Sequence, residues 1–371
     1  MLVWIPRYEY KIEGDFGKGG QSAELPGEIE VNFIGKNKAT PTEGYILQPA
    51  FTFGDQDVSG FWVGKFELSS STPANSLVCS STNCANASGL RILPNVSSLR
   101  YGNVSNFWYG IKSIENTSSF GLSNIDTHMM KNSEWGAVAY LSQSKYGKYG
   151  NSDYEGAQKE VYINNSSRFY TGRSGGNPGG NTKIKDTYTD QTATTLYTDY
   201  GYYTYDGYLL SYNTNNKTET RDINKGAGAS TTGNIYGVYD MSGGSWEYVM
   251  GVYGPEFPTI SSSGFGSTVF TSNTIEPKYY DVYANATNSE RDDGRQSCNN
   301  GKCLVHAMSE TASWYGDYGA MVTSSYPWFL RGGVIGNDTS GGVFYYYYSG
   351  GISGSNSVST RVVGFESMEL K

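Results

Sequence analysis

Residues 236–249 read YGVYDMSGGSWEYV, and this stretch constrains the fold more than any other part of the chain. A short apolar element precedes the pair Gly243 and Gly244, which predicts a tight turn. The aromatic and apolar run at 246–250 is typical of a strand in the interior of a protein. We therefore predict a glycine turn that leads directly into a core strand.

Further strand patterns lie towards the amino-terminal end. Short apolar or alternating runs separated by Gly- and Pro-containing turns predict β-strands at 2–5, 8–12, 28–34 and 60–68.

The clearest helical pattern lies at 122–145. Trp135, Val138 and Ala139 share one face at helical spacing, and the polar residues 123–126 offer capping side chains. We expect this helix to belong to the core.

Composition indicates the class of fold. Gly (48) and Tyr (33) are abundant, and charged residues make up only 17% of the 371 residues. This usage favours turns and short strands over long amphipathic helices. Because Tyr, Phe and Trp each bring a large apolar area, the chain can still bury a sizeable core. We predict an α+β protein with short strands, few helices and long loop insertions.

Two segments, 145–233 and 256–327, are expected to be loop-rich insertions. The first contains GRSGGNPGGN at 172–181, but the Gly-Lys-Ser/Thr ending and the apolar helix of a phosphate-binding loop are absent. We expect short strands around 196–212 that pack on the body of the protein and form no second core.

The charge balance limits the classes of partner. The formal net charge is −8 and the isoelectric point is near 5.0. A nucleic-acid backbone requires a basic face, so we predict no nucleic-acid partner. No apolar run reaches the length of about 18 residues that a spanning helix needs, so we predict no membrane insertion by this chain.

The amino-terminal residues do not read as a signal peptide. Arg7, Glu9 and Lys11 interrupt the place where an apolar region should lie. Either the protein stays inside the cell, or it is a domain of a longer exported polypeptide.

The four cysteines favour export. They form two C-x₄-C pairs, Cys79 with Cys84 and Cys298 with Cys303, and each pair encloses polar residues typical of a hairpin tip. We predict two local disulfides. A four-Cys zinc site is the alternative, but zinc sites prefer C-x₂-C spacing and the two pairs lie far apart in the chain. Free thiols are expected if the compartment is reducing.

Taken in order, several of these stretches resemble the formylglycine-generating-enzyme family, also called the sulfatase-modifying-factor family, a variant of the C-type lectin fold. The matching stretches are 2–6, similar to the family's VWIP strand; 63–69, similar to IGKYEVT; 132–139, similar to the TEAEWEYAA helix; 236–249, close to the hallmark GLYDMHGNVWEWV; and 331–333, which match the late RGGSW. The resemblance spans nearly the whole chain and implies a single domain over residues 1–371.

The chain departs from the catalytic members of that family. Gly244 stands where the family usually has Asn, and Glu366 stands where its GFR motif has Arg. The oxidising members carry a copper-binding cysteine pair in the final segment, because Cu(I) requires soft thiolates. No cysteine occurs between Arg331 and Lys371. Iron-dependent relatives use a set of histidines, whereas this chain has two, His128 and His306. We expect His128 to be a packed or surface side chain.

We therefore predict no enzymatic activity and no catalytic cofactor. The fold that the resemblance implies often holds a structural calcium ion, although no Asp and Asn ligand set stands out here by spacing.

The final segment, 328–366, combines two kinds of residue. The expected structural frame consists of large, charged or turn-forming residues of this segment together with two from the stretch 236–249, and its members are Trp246, Glu247, Trp328, Arg331, Gly332, Gly333, Phe344 and Arg361. We expect Arg331 to pair with a carboxylate inside the fold. Between the frame residues lie Tyr, Ser, Gly, Asn and Asp, the residue types that dominate recognition loops.

We predict that these intervening residues contact a ligand. The candidate contacts are Asn337, Asp338, Ser340, Tyr345, Tyr347, Tyr348, Ser349, Ser353, Ser355, Asn356, Ser357 and Ser359. If 343–348 is one strand, its alternation turns Phe344 and Tyr346 inward and Tyr345 and Tyr347 outward. Mutation of Tyr345 and Tyr347 to Ala should then abolish binding with little change in melting temperature. The alternative is that the tyrosines pack beneath the long insertion.

The resemblance extends to a non-catalytic branch of the family. That branch includes the variable proteins of diversity-generating retroelements and modules of pilin-like or anchored bacterial surface proteins and phage tails. It implies an adhesin or receptor-binding domain that binds a protein or glycan on another cell surface, located outside the cell within a longer exported or anchored protein. An oxidoreductase with an altered active site and a structural shell or fibre component are the alternatives.

Overall fold

The computed structural model describes most of the chain. The described residues are 1–12, 26–70, 79–80, 83–84, 89–94, 96–117, 120, 124–151, 159–166, 168–173, 201–203, 209–213, 218–221, 227–254, 263–266, 269–270, 274–283, 305–337, 340–352 and 355–366.

Most regular elements are short strands. In chain order they are β1 (Leu2–Pro6), β2 (Tyr8–Ile12), β3 (Ile29–Phe33), β4 (Ile46–Leu47), β5 (Thr52–Phe53), β6 (Gln56–Asp57), β7 (Gly60–Gly64), β8 (Ser69–Ser70), β9 (Cys79–Ser80), β10 (Asn83–Cys84), β11 (Leu90–Arg91), β12 (Ile125–Met129), β13 (Gly201–Tyr203), β14 (Leu209–Asn213), β15 (Thr218–Arg221), β16 (Trp246–Tyr253), β17 (Asp281–Tyr283), β18 (Trp328–Arg331), β19 (Tyr346–Ser349), β20 (Val358–Thr360) and β21 (Val362–Glu366). The described residues also contain two α-helices, α1 (Val104–Lys112) and α2 (Asn132–Ser142). The protein is therefore of the α+β class, as its composition predicts.

A four-stranded antiparallel sheet has the order β1-β7-β21-β12. Its central strand β21 comes from the end of the described chain and lies between β7 and β12. The final segment is therefore built into the core. A separate three-stranded sheet has the order β3-β2-β4, and its strands lie between β1 and β7 in the chain.

The second large sheet has the order β17-β16-β18-β19, and β20 pairs in parallel with β16. β16 and β18 are antiparallel, and β18 pairs with β19 so that Leu330 lies opposite Tyr347. The glycine turn at Gly243 and Gly244 leads into β16, which confirms the strand predicted from residues 246–250. Every residue of β18 is buried.

The predicted helix at 122–145 is too long. Residues Ile125–Met129 form β12, and α2 begins only at Asn132. Glu134 marks the true start, because its side chain accepts the Lys131 backbone N–H at 2.8 Å. Of the apparent capping residues, Asn124 precedes β12 and both Ile125 and Asp126 belong to it, while Ser123 lies outside the described residues.

Helix α1 was missed by the sequence analysis. Its start is capped by Asn103, whose side chain accepts the backbone N–H of Asn106 at 2.8 Å. Phe107 and Ile111 on one face are completely buried.

The other strand predictions fare better. β1, β2 and β3 confirm the strands expected at 2–5, 8–12 and 28–34, and β7 covers the first half of 60–68. Strands β13 to β15 form one antiparallel sheet within 201–221, close to the strands expected around 196–212. No helix among the described residues is long and apolar enough to cross a membrane.

Candidate functional site

The frame is centred on a buried ion pair. Arg361, at the entry to β21, donates from Nε to Glu247 Oε2 at 3.0 Å and from Nη2 to Glu247 Oε1 at 2.5 Å. Its Nη1 donates to the carbonyl of Gly64 at 2.7 Å. Both side chains are buried, so the pair joins β16, β7 and the final segment in the interior. A bidentate arginine–carboxylate pair of this kind fixes geometry as well as charge.

Two more buried carboxyl groups lie near this pair. Burial raises the pKa of Glu67 well above its ordinary value and raises the pKa of Asp240, with Arg361 acting in the opposite direction. Burial also raises the pKa of Glu247 to about 7. Glu67 accepts the backbone N–H of Ser245 at 2.8 Å. Glu67 therefore holds the glycine turn before β16 and lies near the ion pair.

Arg331 does not have the carboxylate partner that the sequence analysis expects. It is completely buried, and it donates to the carbonyls of His306 at 3.3 Å and Ala307 at 2.8 Å. Its guanidinium lies 5.5 Å from the ring centroid of Trp135. Among the described residues, no carboxylate lies within ion-pair distance of Arg331. The carboxylate pair belongs instead to Arg361, because β18 directs the Arg331 side chain towards the backbone of His306 and Ala307.

Burial lowers the pKa of Arg331 to about 10. Glu310 and Asp317 lie close enough to influence it, and burial raises the pKa of each to about 8. The raised pKa values keep the two carboxyl groups mostly uncharged at neutral pH, so they do not neutralise the Arg331 guanidinium.

The two glycines after Arg331 form a turn with backbone angles that are unfavourable for residues with a Cβ. Gly332 has φ 82° and Gly333 has φ 73°. The Gly332 carbonyl accepts the backbone N–H of Gly243 at 2.9 Å, so the turn after β18 is bonded to the turn before β16. A Cβ on Gly333 would lie 2.7 Å from the Cα of Gly341.

The remaining frame residues are aromatic. Trp328 and Phe344 are buried, while Trp246 is half-buried. Trp328 packs against Phe265 at a ring-centroid distance of 5.8 Å, and Phe344 packs edge-on against Trp314 at 5.1 Å.

The burial of residues 344–348 does not follow the alternation that a single strand over 343–348 predicts. Phe344 and Tyr346 are buried, but Tyr345 is also buried, at 3% exposure. The prediction that Tyr345 faces outward is wrong, because β19 begins only at Tyr346 and Tyr345 lies in a turn, where its N–H donates to Gly342 at 3.1 Å. Alternation applies to strands and not to the turn before one. Tyr347 and Tyr348 are half-buried.

Five tyrosines form a continuous chain of ring contacts, which we call the tyrosine row. Neighbouring ring centroids in the row are 4.3–6.4 Å apart, and its members are Tyr318, Tyr326, Tyr345, Tyr347 and Tyr348. Tyr326 is 49% exposed and Tyr318 is 38% exposed. Tyr345 is the one buried member of the row, and the other four tyrosines reach solvent.

Sequence reasoning missed Tyr318 and Tyr326. Both lie in 256–327, which it treated as a loop-rich insertion. The backbone brings them to β19, because Tyr346 N–H donates to the Tyr318 carbonyl at 3.2 Å and Ala320 N–H donates to the Tyr346 carbonyl at 2.9 Å. Contacts of this kind join distant parts of the chain, so no local pattern could have indicated them.

A second exposed element consists of the described residues 350–352 and 355–357, which we call the C-terminal loop. Ile352 is 55% exposed and Asn356 is exposed, while Ser355 and Ser357 are half-buried with hydroxyl oxygens 3.2 Å apart. Ser353 lies outside the described residues.

Other predicted contacts have structural roles. Asn337 Oδ1 accepts the Val334 N–H at 2.7 Å, and the Ser340 hydroxyl donates to the Asn337 carbonyl at 2.9 Å, so both close a turn. The Ser349 hydroxyl lies 2.9 Å from that of Tyr248. Asp338 lies outside the described residues.

Ser359 is completely buried in β20. Its predicted place on the surface is wrong, because β20 pairs with the central strand β16.

The amino-terminal cysteine pair lies on a small hairpin. The backbone register of β9 and β10 places Cys84 directly opposite Cys79. Cys298 and Cys303 lie outside the described residues. Both disulfides stay predictions.

The two histidines are buried in separate places. His128 Nε2 lies 2.9 Å from Glu134 Oε1, and its ring is parallel to Phe365 with centroids 5.5 Å apart, which confirms a packed histidine. His306 Nδ1 lies 2.5 Å from the Tyr283 hydroxyl. Among the described residues, no group of three or more His, Cys, Asp and Glu side chains is placed to hold a metal ion. The structural calcium ion that the resemblance implies stays a prediction.

A cavity of about 490 Å³ opens beside the four-stranded sheet. Its lining is mostly aliphatic, and it includes the polar side chains Arg91 and Thr127. The Arg91 Nη1 donates to the Leu90 carbonyl and the Thr127 hydroxyl donates to the Ile111 carbonyl. Because both polar groups are already engaged, we place no functional site there.

Comparison with known proteins adds no relative. No protein-family model matches the chain, and no curated protein matches it. Membership of the formylglycine-generating-enzyme family stays a prediction from the motifs in the sequence.

Proposed function

We propose that this protein is a non-catalytic ligand-binding domain, of the adhesin or receptor-binding kind, that contacts its ligand through the tyrosine row and the C-terminal loop. The observation that supports this proposal most directly is that buried and exposed side chains alternate along the final segment. Arg331 and Arg361 are completely buried, whereas Tyr348, Ile352 and Asn356 between them reach solvent. Exposed tyrosines that are already in contact lose little conformational entropy on binding, which suits recognition.

The way in which the C-terminal loop is anchored supports this role. Trp246 N–H donates to the Ser357 carbonyl at 2.9 Å, and Tyr101 N–H donates to the Ser355 carbonyl at 3.1 Å. Because these bonds use backbone atoms of the loop, they do not depend on which side chains the loop carries. Exposed positions can therefore change without loss of the loop conformation.

We extend the proposal to the scaffold, as a C-type lectin fold of the formylglycine-generating-enzyme type. The support is that the resembling stretches fall in order on β1, the end of β7, α2, the turn into β16, and the end of β18. The residue types of the final segment also match those that arise when a retroelement mutates adenines in Asn codons. An imperfect repeat of the coding sequence for this segment, beside a reverse-transcriptase gene, would support diversification. Its absence would leave a binding domain with a fixed surface.

We propose a location outside the cell or on its surface, within a longer exported or anchored bacterial or phage protein. The backbone register that places Cys84 opposite Cys79 supports an oxidising compartment. Mass spectrometry of protein from its native source checks this, since a Cys79–Cys84 disulfide is expected and free thiols at both positions would contradict it.

The binding function is tested on an array of glycans and cell-surface proteins probed with the full chain. The matched variants are Tyr326→Ser combined with Tyr348→Ser, and the control Tyr236→Ser. Tyr236 is 72% exposed and lies outside the tyrosine row, so it controls for loss of an exposed tyrosine in general.

The expected result is at least one ligand that the original chain and the control bind and the double variant does not. If the double variant binds every ligand as the original chain does, the row is not the contact surface. Stoichiometric, tight uptake of copper or iron in a parallel titration would instead favour an oxidoreductase.

A further inference from the structure

The C-terminal loop is in contact with an arginine from outside the final segment. Arg100 lies shortly before α1, and its Nη1 donates to the Asn356 carbonyl in a bond at the protein surface. Its Nη2 donates to the Ser97 hydroxyl at 3.4 Å. Nearby, the Val104 N–H at the start of α1 donates to the Gly351 carbonyl at 3.4 Å. The arginine therefore places a positive charge beside the loop for which we propose ligand contact.

Two aromatic rings fix the position of the Arg100 guanidinium. Its central carbon lies 4.1 Å from the ring centroid of Phe169 and 5.7 Å from that of Tyr101. Phe169 is half-buried and Tyr101 is 37% exposed. A guanidinium that is already stacked on rings and bonded at one edge loses little conformational entropy when a ligand binds. The group is therefore preorganised for recognition.

The backbone on both sides of the guanidinium is strained. Tyr101 has φ 69° and Phe169 has φ 57°, in the left-handed region that bulky residues rarely occupy. Each of the two makes a backbone hydrogen bond to another segment. The Tyr101 N–H donates to the Ser355 carbonyl at 3.1 Å, and the Phe169 carbonyl accepts the Ser98 N–H at 2.9 Å. Because strained residues cluster at sites that hold a ligand, this geometry supports a binding role independently of the charge.

These contacts hold the guanidinium without neutralising its charge. The carbonyl, the hydroxyl and the two rings that it contacts are all uncharged groups. Burial lowers the pKa of Arg100, but the ordinary pKa of arginine is so high that the group stays charged at neutral pH. In the part of the chain that the structure describes, its two terminal nitrogens use two of their four N–H groups. The other two are left to donate to a ligand.

Resting on the proposed binding function, we propose that Arg100 is a specificity-determining residue of the ligand surface and binds a carboxylate group of a protein partner. A carboxylate matches the planar guanidinium, since its two oxygens accept neighbouring N–H groups. A protein is favoured over a glycan because Ile352 of the C-terminal loop is 55% exposed. Its aliphatic side chain is matched by an apolar side chain of a protein and not by the hydroxyl groups of a saccharide. Arg and Tyr are also the residue types enriched at the centres of protein interfaces.

The test uses the array of glycans and cell-surface proteins, probed with the full chain, with Arg100→Gln and with the control Arg168→Gln. Arg168 is exposed and precedes Phe169, so its substitution removes the same charge from the same neighbourhood. We expect at least one protein whose binding Arg100→Gln weakens by about tenfold or more. Arg168→Gln should leave that affinity within about twofold. Binding by the original chain should also weaken as sodium chloride rises to about 0.5 M, since the ion pair is screened.

A double-mutant cycle identifies the carboxylate on the bound protein. Its surface Asp and Glu residues are changed one at a time to Asn and Gln, and calorimetry measures each variant against the original chain and Arg100→Gln. One of these changes should cost about the same factor as Arg100→Gln and should cost little more when the two are combined. If every carboxylate change adds fully to Arg100→Gln, Arg100 only supports the loop and the inference is overturned. If Arg100→Gln has a lowered melting temperature, Arg100→Lys replaces it in the cycle, because it keeps the charge without the planar pair of N–H groups.

The outcomes separate this inference from the function on which it rests. Ligands that require Tyr326 and Tyr348 but bind Arg100→Gln normally would overturn the role of Arg100, while the binding function would stand. The same holds if every ligand on the array is a glycan. Equal weakening by Arg100→Gln and Arg168→Gln would show a general effect of charge and would also overturn the inference. An array without any ligand would overturn the proposed binding function itself.

Discussion

The frame and the tyrosine row come from the same carboxy-terminal segment, yet they use opposite chemistry. In the frame, Arg361 and Glu247 are charged groups buried in a bidentate pair, and Arg331 is buried against backbone carbonyls. In the row, uncharged rings such as Tyr326 and Tyr348 lie at the surface and contact mainly one another. The buried charged groups fix the position of the chain in the interior, whereas the uncharged aromatic rings remain accessible to a ligand.

This difference implies that stability and binding are carried by separate side chains. Substitutions in the frame should lower the free energy of unfolding, and substitutions in the row should change binding with little effect on folding. The comparison fails if a frame substitution is tolerated or if a row substitution unfolds the protein.

The largest effect is expected for Arg361→Met. This change leaves Glu247 buried without its partner and close to Glu67, so we expect a loss of about 3–5 kcal/mol in the free energy of unfolding. Urea unfolding followed by tryptophan fluorescence measures it. A loss below about 1 kcal/mol would show that the ion pair does not fix the frame.

A double-mutant cycle sharpens this result. Glu247→Met removes the charge that Arg361→Met strands, so the double variant should be more stable than the sum of the two single losses predicts. Additive losses would mean that the two side chains act independently.

The pH dependence of stability gives the next largest effect. Burial raises the pKa of Glu310 and of Asp317 to about 8, whereas unfolded carboxyl groups titrate at their ordinary values of 4.5 and 3.8. Within this window the folded chain binds more protons than the unfolded chain. The free energy of unfolding should therefore fall as the pH rises from about 5 to 8, by on the order of a few kcal/mol.

Other titrating groups also contribute to the dependence of the free energy of unfolding on pH. Glu67, Asp240 and Glu247 have raised pKa values and contribute with the same sign. Burial lowers the pKa of Lys65 to about 8, so above that pH its contribution has the opposite sign. Urea unfolding at several pH values up to 8 should show a smaller slope for Glu310→Gln than for the original chain. An equal slope would contradict the assignment to Glu310.

The sequence predicted elements better than contacts. The strand after Gly244 could be predicted because β-like residues follow a glycine pair directly, and both signals are local. The helix boundary could not, since Ile125 and Thr127 pair with β21 from the far end of the chain and this pairing overrides the apparent caps. Tertiary pairing of this kind leaves no mark on local periodicity.

The residue types of the candidate site could be predicted from the sequence, but the positions of its side chains could not. Tyr347, Tyr348 and Asn356 were named from residue type alone, and all three reach solvent. The placement of Tyr345 failed because the position where a strand starts decides which side chains alternate. Tyr318 was missed because it joins the row through a backbone pairing with Tyr346 that spans a loop.

A smaller stability effect is expected from the turn that links the frame to the row. Gly333→Ala introduces a side chain at φ 73° and places its Cβ 2.7 Å from a backbone atom of Gly341. The left-handed conformation alone costs about 1–2 kcal/mol for a residue with a Cβ, and the contact adds to it.

The matched control for this change is Gly336→Ala. Gly336 is exposed, has no atom within 4 Å of an added Cβ and does not have a positive φ. Its substitution should change the free energy of unfolding by about 0.5 kcal/mol or less. Equal effects at Gly333 and Gly336, measured by thermal unfolding, would show that the turn conformation is not required.

Apart from the Gly336 control, the smallest stability effect is expected for Tyr348→Ser, and it tests the comparison within a single strand. Tyr348 is half-buried and its ring contacts Tyr347 and Tyr326, so its loss should cost about 1 kcal/mol or less. Tyr346, two residues earlier on β19, is 2% exposed and packs within 5.9 Å of the Arg331 guanidinium, so Tyr346→Ser should cost about 3–5 kcal/mol. Urea unfolding of both variants, together with ligand binding by Tyr348→Ser, decides the matter. Equal losses of stability would mean that the row is part of the core, since only a displayed side chain can be removed with loss of binding and retention of the fold.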